Sequence, residues 1–315
     1  MSRNLDALSP LQRYSVTTQR AAGRVIDAYS TSFGAASQLL GRRHRPHIRN
    51  IYALVRVADE LVDGVGSEAG LTPAQQQEAL DRLIEDTHTA MRLGYSSNPV
   101  VHAFALTARA AGIDAEIVDP FFASMRADLR QEGHPDDTGE TTDATAPTDA
   151  APIPFDADQH RTYVYGSAEV VGLMCLRVFT REERLDASTR HELEHGARQL
   201  GAAFQNVNFL RDLADDTSRL GRSYLSDCSR LTDADRQRWV DTIRGQLDDA
   251  RRTVPLLPSD ARLAVSAALG LFAALTDRIA TTPTRVLYTE RVRLSAPAKV
   301  RVLARAVALR GGERA

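Results

Sequence analysis

Lysine is almost missing from this chain: Lys299 is the single one among 39 basic side chains. Positive charge is therefore carried by guanidinium groups, whose planar fork suits a carboxylate or phosphate held through two parallel hydrogen bonds. A compositional bias of the coding sequence accounts for the overall excess, so each arginine has to be argued at its own position. Cysteine is scarce as well. Cys175 and Cys228 are the only two, which excludes a disulfide framework or a four-cysteine metal site and points to a reducing compartment. Long hydrophobic runs are lacking, since the longest, Leu263 to Leu275, falls short of the roughly 20 residues that span a bilayer. The stretch from Met1 to Val25 is polar and broken by charge, without the apolar centre of a secretory signal. Neither sign of charge dominates: 39 basic against 41 acidic residues leave a net charge of -2, which disfavours a nucleic-acid partner. The expectation is a soluble, cytoplasmic protein.

What is present is helical pattern. Apolar residues recur three and four apart along most of the 315 residues, while alternating strand patterns bounded by turn pairs are nearly absent. This predicts an all-α protein, a single domain over 1–315. One segment interrupts it: Gly133 to Gln159 is rich in Pro, Thr, Asp and Ala and holds seven carboxylates with no Lys or Arg. It reads as an acidic, flexible surface loop. Without it, 39 basic side chains face 34 acidic ones, so the folded body is mildly basic.

Two acidic clusters carry the chemistry. In His47 to Asp63, every third or fourth residue gives Arg49, Tyr52, Arg56, Asp59 and Asp63, one continuous helix stripe. The stripe beside it, Ile51, Val55, Ala58 and Val62, is apolar and would be held against the core. In the second cluster Gln205, Asn208, Asp212 and Asp216 repeat the spacing, flanked by Phe204, Val207 and Leu210. With 41 acids in 315 residues, chance supplies about five acid pairs at i and i+4. A single pair therefore carries nothing. The distinguishing feature is that Arg and Tyr, or Gln and Asn, stand in register with the acids on helices whose other face is apolar. Two such stripes of oxygen ligands suit a hard divalent cation, since Mg²⁺ takes one or two carboxylates and completes its shell with water and substrate phosphate.

These residues resemble the squalene and phytoene synthase family, the head-to-head prenyl diphosphate synthases. The likeness runs from Tyr29 to Lys299: Ser30-Thr-Ser-Phe33 resembles the family's Ser-x-Ser-Phe element, and Tyr52, Arg56, Asp59 and Asp63 its Tyr-x-x-x-Arg-x-x-Asp-x-x-x-Asp helix. Tyr163 to Gly172 is similar to its central tyrosine and small-residue segment, and Gln205 to Asp216 to its Asn-x-x-Arg-Asp-x-x-x-Asp motif. Gly221-Arg-Ser-Tyr-Leu225 and Arg291-Val-Arg-Leu-Ser295 resemble two later elements, and the wording around Tyr29 and Tyr165 is most similar to bacterial phytoene synthases. Three positions depart: Glu60 replaces a common Asp, Glu169 a common Gly and Phe272 a common Tyr. The last two are expected to alter the cavity and to withhold a late catalytic hydroxyl.

The resemblance implies an isoprenoid-synthase-type helical bundle with a central cavity. It implies a Mg²⁺-dependent transferase, with Mn²⁺ as a substitute and no nicotinamide cofactor, that joins two geranylgeranyl diphosphates through a cyclopropyl (prephytoene) diphosphate to phytoene, the first committed step of carotenoid synthesis. The metal ligands it implies are Asp59, Asp63, Asn208, Asp212 and Asp216, with Arg56 and Tyr52 joining the aspartates in catalysis. Substrate would be held by Tyr29, Ser30, Ser32, Phe33, Tyr165, Gln205, Arg211, Arg222 and Arg291. Squalene or dehydrosqualene synthesis from farnesyl diphosphate is the alternative within the family, and a non-catalytic relative is disfavoured by the four intact aspartates.

A different class is suggested by His191-Glu-Leu-Glu-His195, the zinc-hydrolase spacing of two histidines one turn apart. Its flank of Ser188, Thr189 and Arg190 reads instead as a charged helix surface. From Lys299 to Arg310, Arg alternates with Val, Leu and Ala. Such a helix could rest on the inner face of an anionic membrane and pass the product to a phytoene desaturase, although an ordinary basic surface helix has the same pattern.

Overall fold

A computed structural model describes residues 5–30, 32–132, 157–214 and 231–312; the side chains of Ser32, 130–132 and 309–312 lie outside that description, as do Asp216, Arg222 and Cys228. No strand occurs among the described residues, so the chain is all-α, as its periodicity predicts.

The helices begin where local chemistry starts them. Helix α1 (Pro10–Tyr29) opens on a reciprocal Ser9–Gln12 capping box with Pro10 in its first turn, satisfying amide donors that have no partner within the helix. Two short helices flank the next long one along the chain: α2 (Ser32–Ser37) precedes α3 (Arg45–Val62), and α4 (Val65–Glu68) follows it. Helix α5 (Pro73–Leu93) repeats the capping box with Thr72 and Gln75 and ends at Gly94, whose φ of 80° is left-handed. A side chain is strained there, which is why glycine stops the helix. Helix α6 (Pro99–Ala111) is capped by Asn98, and α7 (Ala115–Glu132) contains Pro120.

Helix α8 (Ala157–Val164) starts three residues inside the predicted acidic loop, most of which lies outside the described residues. It runs without a break through one π turn (Tyr165–Glu169) into α9 (Val170–Thr180). Asp186 caps α10 (Ala187–Arg211) by accepting from the Thr189 amide at 2.8 Å. Helices α11 (Asp233–Thr253), α12 (Ser259–Ala280), α13 (Thr284–Leu287) and α14 (Ala296–Gly312) complete the chain.

Two apolar clusters organise the bundle. The first gathers Ile51, Leu54, Ala58, Leu80, Phe104, Phe121 and Met174 from α3, α5, α6, α7 and α9, all at most 2% exposed. The second gathers Val207, Leu210, Val240, Ile243 and Ile279 from α10, α11 and α12. At about 25 cal/mol per Å² of buried apolar surface, such clusters dominate the folding energy and fix which face each helix turns inward. Helix α12 is long and apolar enough to cross a membrane by length and composition, with mean hydropathy 1.5. In the fold it packs against α2, α10, α11 and α14. Between the two clusters the helices do not close completely.

Candidate active site

The opening is a cavity of about 480 Å³ lined by α2, α3, the π turn, α9, α10 and α12. Its chemistry is graded along its length. Leu40, Ile48, Leu176, Phe179, Leu193 and Leu257 close one end, while Tyr52, Arg56, Asp59, Asn208, Arg211 and Arg291 stand at the other. Helix α3 alone carries lining residues from Ile48 to Asp59, a rise of roughly 16 Å at 1.5 Å per residue. Packing explains the grading: Ile51, Ala58 and Val62 are buried on the core side of α3, which turns Tyr52, Val55, Arg56 and Asp59 toward the cavity.

The polar mouth is crowded with charge. Burial first, then Asp63, push the Asp59 carboxyl up to about 8, with Asp128 and Glu60 adding and Arg56 opposing. Arg56 pairs with Glu60, and its guanidinium lies 4.6 Å from the Tyr29 ring centre. Burial works against the Arg56 charge, but Asp59 and Glu60 outweigh it, so its pKa is raised. Tyr52 is stacked on Phe33 at 5.7 Å, and burial raises its hydroxyl pKa while Arg56 and Ser30 oppose that shift. Ser30 serves two purposes, because its Oγ also accepts from the Gly34 amide at 3.3 Å and so starts α2.

Across the mouth, Asp212 is gripped by two arginines. Arg211 donates from Nε at 2.8 Å and again from its terminal nitrogen, while Arg291 forms an ion pair through Nε at 2.7 Å and donates from its terminal nitrogen at 3.3 Å. Asp63 and Asp212 are the C-caps of α3 and α10, where each helix dipole presents roughly half a negative charge that favours a cation. The Oδ1 atom of Asn208 is buried and has no hydrogen-bond partner. An orphaned oxygen, repelling carboxylates and two helix C-termini fit a hard divalent cation. Three His, Cys, Asp or Glu ligands do not converge into a complete cage among the described residues. None is needed for Mg²⁺, which keeps waters and takes phosphate oxygens as ligands.

Of the residues expected at the site, Tyr29, Ser30, Phe33, Tyr52, Arg56, Asp59, Asn208, Arg211 and Arg291 line one cavity. Of the expected residues whose side chains are described, Asp63, Gln205, Tyr165 and Asp212 are not among its lining. Gln205 does not line it, because the cavity stripe of α10 runs through Leu193, Ala197, Leu200, Phe204 and Asn208, and the next residue is turned about 100° away. Tyr165 does not line it either; at the start of the π turn its ring sits 5.2 Å from the Arg198 guanidinium. Glu169, expected to reshape the cavity, points the same way and pairs with Arg198 Nε at 2.7 Å. Phe272 does line the wall, stacked on Phe204 with ring centres 3.6 Å apart. His191 and His195 are exposed on α10, and His195 faces Asp249 at 3.7 Å. They lie outside the cavity, as a charged helix surface would.

Sequence reasoning missed Asp128. It is 2% exposed on α7, accepts from the Tyr163 hydroxyl at 2.9 Å and acts electrostatically on Asp59. The available signal was a lone acid in the stretch Phe121 to Leu129, whose only other polar residues are Ser124 and Arg126, placed one turn after Ser124.

The family model for squalene/phytoene synthase matches residues 26–298. Phytoene synthase 1 of Solanum lycopersicum is 28% identical over 82% of this chain and 60% of its own length. The phytoene synthase of Arthrospira platensis is 29% identical over 81% of this chain and 82% of its own. The chain thus spans about 60% of the tomato chloroplast relative. A dehydrosqualene synthase structure superposes with a TM-score of 0.73 at 20% identity, covering 96% of this chain and 100% of its own. A squalene synthase from Alicyclobacillus acidocaldarius gives 0.65 at 19%, covering 91% and 98%. Both likenesses are of fold.

Proposed function

The chain belongs to the squalene/phytoene synthase family, and from that premise we propose that it is a phytoene synthase condensing two geranylgeranyl diphosphates head to head. The observation that carries this reading is the grading of one cavity, with a charged mouth at two helix C-termini and an apolar trough behind it. A prenyl diphosphate has the same division between a charged head and an apolar chain.

Asp59, Asp63, Asn208 and Asp212, with Asp216, would hold the cation. When bound, Mg²⁺ neutralises the leaving diphosphate as a Lewis acid. Arg211 and Arg291 exchange a carboxylate partner for diphosphate oxygens, where a guanidinium fork binds two at once, and Arg222, outside the described residues, would join them there. The grip of Arg211 and Arg291 on Asp212 would then loosen, leaving its carboxylate able to hold the cation. Tyr52 and Phe33 place ring faces beside developing allylic charge. The first allylic cation alkylates the partner's double bond to give a cyclopropylcarbinyl diphosphate. A second ionisation, rearrangement and proton loss yield the hydrocarbon. The apolar trough keeps water from quenching these cations.

Product release supports peripheral contact with the inner face of a membrane. Val300 and Val307 are 65% and 50% exposed on α14, beside exposed Arg301 and Arg305, a surface suited to anionic lipid and to passing phytoene to a desaturating enzyme.

The test incubates purified protein with Mg²⁺ and either geranylgeranyl or farnesyl diphosphate, with and without a nicotinamide cofactor, and identifies the extracted hydrocarbon. Phytoene from the twenty-carbon substrate without nicotinamide is expected. Turnover of farnesyl diphosphate alone would make it a squalene or dehydrosqualene synthase, and no diphosphate release from either would sink the reading.

A further inference from the structure

Ser167 is a polar side chain on the cavity wall that none of the site's hydrogen bonds uses. It sits inside the π turn between α8 and α9, its residue lines the cavity, and its Oγ is shielded from solvent with no hydrogen-bond partner. Ser167 makes none of the usual local bonds. A helical serine ordinarily donates back to the carbonyl four residues earlier, which here is Tyr163. That carbonyl already accepts from Ser124 Oγ at 3.3 Å. The π turn is also pinned on both sides, so it cannot shift to offer another acceptor. A Cβ on Gly166 would meet Pro120 O at 2.3 Å, and one on Gly201 would meet Ala168 O at 2.4 Å.

Position along the cavity narrows what the hydroxyl could meet. Gly172 abuts Ala197 and Gly201 abuts Ala168, so α9 and α10 run in fixed register, and Ser167 lies near the level of Phe204. Below it the wall continues through Val171, Cys175 and Phe179; above it on α10 come Asn208 and Arg211. Ser167 therefore stands at the step between the apolar trough and the charged mouth. A prenyl chain offers C–H and C=C groups only. The acceptor nearest its chain is the ester oxygen joining C1 to the diphosphate, which a substrate with its head at the mouth would place at the same step.

We propose that Ser167, turning about χ1, donates a hydrogen bond to that bridging oxygen and so stabilises its departure. This rests on the prenyltransferase reading above. In the step, the C1–O bond breaks heterolytically, its electron pair goes to the bridging oxygen, and an allylic cation and diphosphate result. The serine keeps its proton. Because negative charge on that oxygen grows only as the bond breaks, the hydrogen bond is stronger in the transition state than in the bound substrate. The effect therefore falls on kcat more than on KM.

The experiment compares wild type, Ser167→Ala and Ser167→Thr for diphosphate release from geranylgeranyl diphosphate with Mg²⁺, together with thermal melting of each. The alanine variant is expected to lose about 10-fold to 100-fold in kcat with KM changed less than about threefold. Its melting temperature should hold or rise, since an unsatisfied buried hydroxyl has been removed. Threonine should recover part of the loss. An active wild type with an unchanged alanine kcat overturns the proposal, as does a parallel fall of activity and melting temperature, which would mark a structural role. An inactive wild type instead overturns the functional reading, and the role of Ser167 falls with it.

Discussion

Asparagine at position 59 separates two demands made on one side chain. Burial and the neighbouring carboxylates push the Asp59 pKa from 3.8 to about 8. The folded protein thus holds that proton more tightly than the unfolded chain does. Stability from this group is complete below about pH 4, declines as pH rises, and reaches its floor above about pH 8. At roughly 1.4 kcal/mol per unit, the ceiling on the decline is about 6 kcal/mol. Water entering the mouth screens the cluster, and about 1–2 kcal/mol is expected in measured stability. Asp59→Asn keeps the shape and removes the charge. The variant should melt about 2–6 °C higher than wild type at pH 8.5, with the gap closing toward pH 5. It should also lose more than about 100-fold in turnover, and the added protection wild type gains from Mg²⁺ with inorganic diphosphate should disappear. Melting curves from pH 5 to 8.5 and diphosphate release on the same samples measure both sides. A variant less stable at pH 8.5, a gap that ignores pH, or near-normal turnover would refute the reasoning.

Three further outcomes follow from the geometry. Arg291→Ala removes one of two arginines holding Asp212; because Arg291 is exposed, stability should change by less than about 1 kcal/mol, while KM for the prenyl diphosphate rises at least about tenfold by steady-state kinetics. Tyr163→Phe withdraws a donor from buried Asp128 and should cost about 1–3 kcal/mol in urea unfolding. Gly201→Ala places a Cβ 2.4 Å from Ala168 O, forcing α10 off the π turn; a loss of about 1–3 kcal/mol or more is expected, and a neutral result would show that the helices separate freely.

Much of the site was legible because helix periodicity writes it into the sequence. Tyr52, Arg56 and Asp59 share a stripe, and an apolar stripe beside them fixes which way it faces. The same logic placed Asn208 on α10, whereas Arg211 was implied by the family resemblance. Periodicity also gave Gln205, whose side chain one residue of rotation carries off the cavity lining; Tyr165, implied by the resemblance, enters a π turn whose extra residue shifts the phase of everything before it. Asp128 escaped for a different reason: it belongs to a helix with no acidic stripe, and only packing brings α7 beside α3.

By itself, then, the sequence determined the helical class, the caps that start α1 and α5, and the two stripes of ligands, since all of these depend on residues within one or two turns of each other. Tertiary structure alone decided that the last turns of α3 and α10 line one cavity, that Arg291 adds a second grip on Asp212, and that Glu169 turns to Arg198 instead of into the trough. It also decided that Ser167 has nothing to bond. Those are contacts between residues tens to hundreds of positions apart, set by how the apolar faces of separate helices exclude water together.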